Sequence, residues 1–177
     1  MSIPELKIKT DCFPGVELIE PDFYEDFRGE YWTVYNEKKY KKEKNFFHTK
    51  ATKSRMKTLR GIHGDFETTK LISCLSGEVY CVIVDNRKNS KNYLEWRWIM
   101  LTCNNKKSII VPPGVGLSYL VMSESASVLY QLSYSGDYQD VNNQFTISWN
   151  DKDLKINWPF KDPILQNRDL KNEKEQK

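Results

Sequence analysis

Residues 70–87, KLISCLSGEVYCVIVDNR, decide the fold class. Two apolar segments, Leu71–Leu75 and Val79–Asp85, flank Ser76-Gly77, a pair suited to a turn. Both segments are too short for a helical stripe, so they read as strands. The same rhythm continues outward. YLEWRWIMLT (93–102) alternates or nearly so, NNKK (104–107) turns the chain, and SIIVPPGVG (108–116) is a short strand stopped by two prolines. LSYLVMSESASVLYQLSYS (117–135) supplies two more strands around a polar turn at Ser123–Ser125, and QFTISWND (144–151) adds another. No segment carries a clean i, i+3, i+4 stripe over three turns. Short helical turns are expected near Glu37–Lys44 and in PILQNRDLKNEKEQK (163–177). Many short strands with turns about every 8–12 residues predict an all-β sandwich or barrel. The expected form is a jelly roll whose two curved sheets enclose a ligand-sized cavity.

The bulk properties fit one domain over residues 1–177, with a frayed charged tail over 170–177. Charged residues make up 29% and mean hydropathy is −0.67, while 13% aromatic content argues against disorder. The net charge of +3, with acids and bases interspersed, is too mild to imply nucleic acid. KKYKKEK (38–44) therefore reads as a solvated loop. The four cysteines, Cys12, Cys74, Cys81 and Cys103, include no C-x-x-C pair. Neither a signal-peptide core nor a membrane-spanning run is visible, so a cytoplasmic location is the expectation.

TLRGIHGD (58–65) holds one of only two histidines. Metal-binding jelly rolls carry several histidines, and none follows His63, so a metal site is not expected. No nucleophile motif accompanies it either. Proton transfer remains, alongside a plain turn histidine bonded to backbone.

Taken in order, DFRGEY (26–31), TLRGIHGD (58–65), TKLISCLSGEVYCVIVDNRKNS (69–90), IIVPPGVG (109–116), VLYQLSY (128–134), WNDKDLKINWP (149–159) and LQNRD (165–169) resemble the dTDP-4-dehydrorhamnose 3,5-epimerase family. The resemblance covers about residues 13–170. It implies a cupin-type jelly roll, a homodimer, no cofactor and a nucleotide-diphospho-4-keto sugar as partner, with no role for nucleic acid or membrane. By position it assigns His63 as base, Asp169 as the carboxylate that orients it, Lys70 as the enolate cation and Tyr130 as the opposing acid. Arg28 and Arg60 fall on diphosphate-binding arginines, whose planar forks suit phosphate oxygens.

Several positions depart from the pattern. RGIHGD stands where the family has R-G-L-H-Y-Q, and PPGVGLSY where it has P-x-G-F-A-H-G-F, so Leu117 replaces a histidine. His48-x-Lys50 replaces Gln-x-Asn, which makes His48 and Lys50 candidates for reading the sugar. Thr33 stands where the family has a glutamate, and Tyr138 is a candidate for stacking on the base. These changes surround the ligand and spare the proton-transfer set. They predict an altered substrate, such as a GDP-linked 4-keto heptose, with inversion at C3 or at C3 and C5. The expected role is in capsule or lipopolysaccharide synthesis. A 3,4-ketoisomerase and a non-catalytic sugar-nucleotide-binding cupin are the rival readings.

Overall fold

The computed structural model describes residues 6–9, 12–38, 45–136 and 143–174. Strands dominate: β1 (Leu6–Lys9), β2 (Glu17–Pro21), β3 (Phe23–Asp26), β4 (Gly29–Trp32), β5 (His48–Arg55), β6 (Leu59–Gly64) and β7 (Lys70–Ser76). There follow β8 (Glu78–Asp85), β9 (Trp96–Thr102), β10 (Ser108–Val111), β11 (Val115–Val121), β12 (Ser125–Leu132) and β13 (Phe145–Thr146). One sheet has the order β1-β2-β10-β7-β12-β5 and faces a second, β13-β6-β11-β8-β9; β3 and β4 form a separate hairpin. This is the expected jelly roll, and a 3-10 turn at Asn167–Leu170 is the short helical turn of the C-terminal stretch. The helical turn expected near Glu37–Lys44 falls mostly on residues 39–44, outside the described residues.

The turn at Gly77 is present, with φ +73, but the strands it joins belong to different sheets. β7 pairs with β10 and β12, whereas β8 pairs with β9 and β11. Burial explains why. Val79, Cys81 and Ile83 of β8 face the core between the sheets, with Ile72, Cys74, Val111 and Val128 opposite. Tyr80, Val82 and Val84 point the other way, into a second cluster with Leu59, Ile147, Leu154 and Trp158. A strand covered on both faces has no polar side, which is why its sequence is continuously apolar.

The C-terminal segment supplies that outer cover, and the expected frayed tail is corrected through residue 174. Glu173 pairs with Thr146 through backbone bonds of 2.6 and 2.8 Å. Lys174 Nζ lies 2.9 Å from Asp151 Oδ2, which also accepts from Asn172 Nδ2 at 2.9 Å. The W-N-D aspartate thus pins the chain end and, with it, the 3-10 turn.

β6 carries the decisive irregularity. Its partners on β11 are Leu117 for His63 and Tyr119 for Arg60, so two steps on β11 span three on β6. Such a bulge turns Arg60 and His63 to one side, where simple alternation would set them apart. Gly61 has φ +110, and a Cβ there would sit 2.4 Å from the Leu117 carbonyl oxygen. At Gly64 a Cβ would lie 2.2 Å from the Phe145 ring, so β13 takes the space beside His63. Gly61→Ala is therefore expected to lower stability by about 1–3 kcal/mol, checked by urea unfolding.

Candidate active site

Strand parity builds the site. In the six-stranded sheet, Lys50, Thr52 and Ser54 of β5 pair with Tyr130, Val128 and Ala126 of β12, and Lys70 of β7 pairs with Leu132. Arg60 and His63 of β6 and Leu117 and Tyr119 of β11 line the opposing wall. Between them lies a cavity of about 800 Å³, within the usual range for small-ligand sites. Among the described residues, Lys50, Lys53, Arg55, Arg60, Lys70 and Arg168 line it, and Asp169 is the one lining carboxylate. A cavity so rich in cations attracts a polyanion.

Asp169 is buried and its carboxylate is anchored by backbone. Oδ1 accepts from Gly61 N–H at 3.2 Å and Oδ2 from Gln166 N–H at 2.8 Å. Nε2 of His63 lies 3.2 Å from Oδ1, an ion-pair distance whose alignment falls short of a good hydrogen bond. Burial pushes the His63 pKa below its ordinary value. Asp169 pulls it upward, but Arg168 and Lys70 add to the depression, and the net direction is down. The resting imidazole is thus biased toward the neutral form, which can accept a proton.

Tyr130 is moved the opposite way. Burial and the neighbouring Tyr119 hold its hydroxyl well above the ordinary phenol range. Tyr119 is itself tied down, its Oη 2.8 Å from Thr52 Oγ1. Lys70 is buried, which lowers its pKa, while Asp65 opposes that shift from 3.5 Å. Arg60 is steadied by its Nε donating to Ser54 Oγ at 3.1 Å.

His63, Asp169, Lys70, Tyr130, Arg60 and Lys50 therefore share the cavity. His48 and Arg28 do not line it. His48 Nε2 meets the Gly136 carbonyl oxygen at 2.7 Å, and its ring stacks near Tyr134 with centroids 6.4 Å apart. Arg28 is at the β3–β4 turn, its Nη2 2.6 Å from Asp26 Oδ2. Tyr138 lies outside the described residues. Two residues that line the cavity, Arg168 and Tyr119, were not singled out in the sequence, and Asp65, quoted there only within R-G-I-H-G-D, lies 3.5 Å from Lys70 Nζ. Arg168, beside Asp169 in QNRD, donates from Nη2 to Gln144 Oε1 at 2.7 Å; its adjacency to the carboxylate was the available signal. Among the described residues no three His, Cys, Asp or Glu side chains are grouped to hold a metal ion.

The sequence profile of the dTDP-4-dehydrorhamnose 3,5-epimerase family matches residues 10–176. The chain belongs to this family. Its class is that of the sugar epimerases, which are isomerases. The dTDP-4-dehydrorhamnose 3,5-epimerase of Shigella flexneri is 30% identical over 94% of this chain and 94% of its own. The crystal structure of the Bacillus anthracis epimerase with TDP and PPi bound superposes with a TM-score of 0.87 at 30% identity, covering 94% of this chain and 97% of that one. The Legionella pneumophila epimerase, solved with dTDP-4-keto-L-rhamnose, gives 0.86 at 28% identity over 93% of this chain and 90% of that one.

Because Asp169 opposes the burial of His63, Asp169→Asn is expected to move the imidazole titration further below about 6.5. Imidazole proton NMR, with His48→Gln to assign the rings, measures the His63 midpoint. A His63 midpoint above 6.5 in the unsubstituted protein contradicts this assignment.

Proposed function

We propose that the chain inverts C3, or C3 and C5, of a nucleotide-diphospho-4-keto-6-deoxy sugar through an enolate. The observation that carries this reading is the placement of His63 on one sheet and of Lys70 and Tyr130 on the other, around one cavity. A C–H beside a ketone is acidic because the electron pair left behind delocalises onto the carbonyl oxygen. His63, neutral at rest and oriented by Asp169, takes that proton on one face. The Lys70 ammonium stabilises the enolate oxygen. Tyr130, held as a phenol, returns a proton to the same carbon from the opposite face, and the ketone re-forms. The imidazolium and phenolate then exchange protons with solvent to restore the starting states.

The cation-rich wall supports diphosphate binding by Arg60, with Lys50, Lys53 and Arg55 nearby. Arg28 sits on a hairpin whose neighbouring Phe27 is 99% exposed, apart from the cavity. We read the enzyme as a homodimer in which a second copy receives that hairpin, bringing Arg28 to the partner's diphosphate. The thymidine nucleotides seen with its relatives support a thymidine-linked substrate. Gly64, Asp65, Leu117 and Lys50 support a sugar different from theirs, and a GDP-linked 4-keto heptose is the divergent candidate. The setting we propose is capsule or lipopolysaccharide synthesis in the cytoplasm, to which the free cysteines are suited.

Incubation in heavy water with thymidine- and guanosine-linked 4-keto sugars tests the reading. Deuterium at C3, with or without C5, and the ketone retained at C4 is the expected result. A ketone moved to C3 identifies a 3,4-ketoisomerase, and no exchange with any 4-keto sugar identifies a binding module. His63→Asn is expected to cut exchange by roughly 10²–10⁴-fold with nucleotide affinity largely kept. Tyr130→Phe is expected to retain exchange but lose inversion, read by the configuration of the recovered sugar. Mixing inactive Arg28→Ala and His63→Asn chains restores activity if the hairpin crosses between copies; unrestored activity counts against the crossing.

A further inference from the structure

Asp65 lies two residues past His63, in the turn that carries the chain from β6 in one sheet to β7 in the other. It is 8% exposed, and Lys70 is 6% exposed. One carboxylate oxygen, Oδ1, organises the turn by accepting the backbone N–H groups of Glu67, at 3.0 Å, and of Thr68. The Asp65 carbonyl oxygen accepts from Gly114 N–H at 2.8 Å, tying the turn to the start of β11. The other carboxylate oxygen, Oδ2, is left to face Lys70 Nζ at 3.5 Å.

The surroundings of Lys70 make that contact consequential. Its ladder partners, Val111 on β10 and Leu132 on β12, are apolar. Besides Asp65, Arg168 of the 3-10 turn and His63 on β6 act on it electrostatically, and Asp169 and Tyr130 line the same cavity. Arg168 disfavours a second cation, and Asp169 is committed to His63, Gly61 and Gln166. Among the described residues, Asp65 is the carboxylate at ion-pair distance from Lys70. An ammonium withdrawn from water without a partner tends to give up its proton, and a neutral amine cannot stabilise an enolate.

We propose that Asp65 is the counter-ion that keeps Lys70 an ammonium within the cavity, a positioning residue acting through Lys70. The inference rests on Lys70 being the enolate cation of the proposed reaction. It also gives a physical meaning to the departure from R-G-L-H-Y-Q. A neutral glutamine at this place offers no charge to the lysine, whereas Asp65 couples base and cation through one short, backbone-anchored turn.

Asp65→Asn in the full chain tests it, since the amide keeps an acceptor for the turn and removes the charge. Nitrogen NMR of the Lys70 ammonium is expected to show its acid dissociation constant raised at least tenfold. The alkaline limb of kcat should move to lower pH by the same factor, with KM little changed, and Asp65→Glu should move it back. Tyr130 also titrates on the alkaline side, and the Nζ resonance distinguishes the two groups. An Nζ titration unmoved in a folded variant overturns the proposal and leaves Asp65 a turn residue. If Asp65→Asn does not fold, Asp65→Gln, the amide of the family pattern, is measured the same way. Absence of turnover with every 4-keto sugar would sink the proposed reaction, yet the Nζ titration still decides whether Asp65 holds the charge.

Discussion

One extra residue in β6 lets Arg60 and His63 look the same way, and the cavity is organised around that offset. In a sandwich built on strict alternation, positions three apart along a strand face opposite sides of the sheet. The bulge at Gly61 breaks the alternation once, at a place where β11 runs too close for any side chain. The same glycine's N–H reaches Asp169, so the backbone that turns His63 inward also fixes the carboxylate that meets it. Phe145 packs into the room left by Gly64 and closes the other flank. Histidine, carboxylate and arginine are thus consequences of a single local distortion held in place by packing.

The electrostatics follow from burial rather than from net charge. The chain as a whole is nearly balanced, yet among the described residues its cavity gathers six cationic side chains. Taking an imidazole, a phenol and an ammonium out of water drives each toward its neutral form, and their neighbours decide how far. Asp169 partly offsets the effect at His63 and Asp65 at Lys70, while Tyr119 reinforces it at Tyr130. A histidine pushed down and a tyrosine pushed up, on facing walls, are the pattern that the proposed proton transfer requires.

The family to which the chain belongs sets the reaction class, and of the departures from its pattern Lys50 and Leu117 line the cavity, while Asp65 meets Lys70. Leu117 brings an apolar surface where the family pattern has a histidine, opposite the wall that carries Lys50. Cationic side chains from β5, β6 and the 3-10 turn line the rest of the cavity.

Alternation, turn glycines and prolines were enough to make an all-β jelly roll legible, because period-two burial is a local property of each strand. The spaced motifs likewise marked His63, Lys70, Tyr130, Asp169, Arg60 and Lys50, all of which the fold brings to one cavity. Which strands pair was not local. Leu71–Leu75 and Val79–Asp85 look like neighbours in a sheet, but only the covering of β8 on both faces sends them to different sheets. His48 shares a strand with Lys50, yet the Gly136 carbonyl holds it elsewhere; Arg28 lies on a hairpin whose place relative to the cavity no spacing encodes. The tail resembled solvated chain until Asp151 and Thr146 supplied it with partners from distant segments. Asp65 stood in the sequence only as a departure from the family pattern, and only the folded chain sets its second oxygen beside Lys70. Strand identity and chemical inventory are carried by neighbours in sequence; pairing, charge state and the direction a side chain faces depend on groups that only folding brings within a few ångströms.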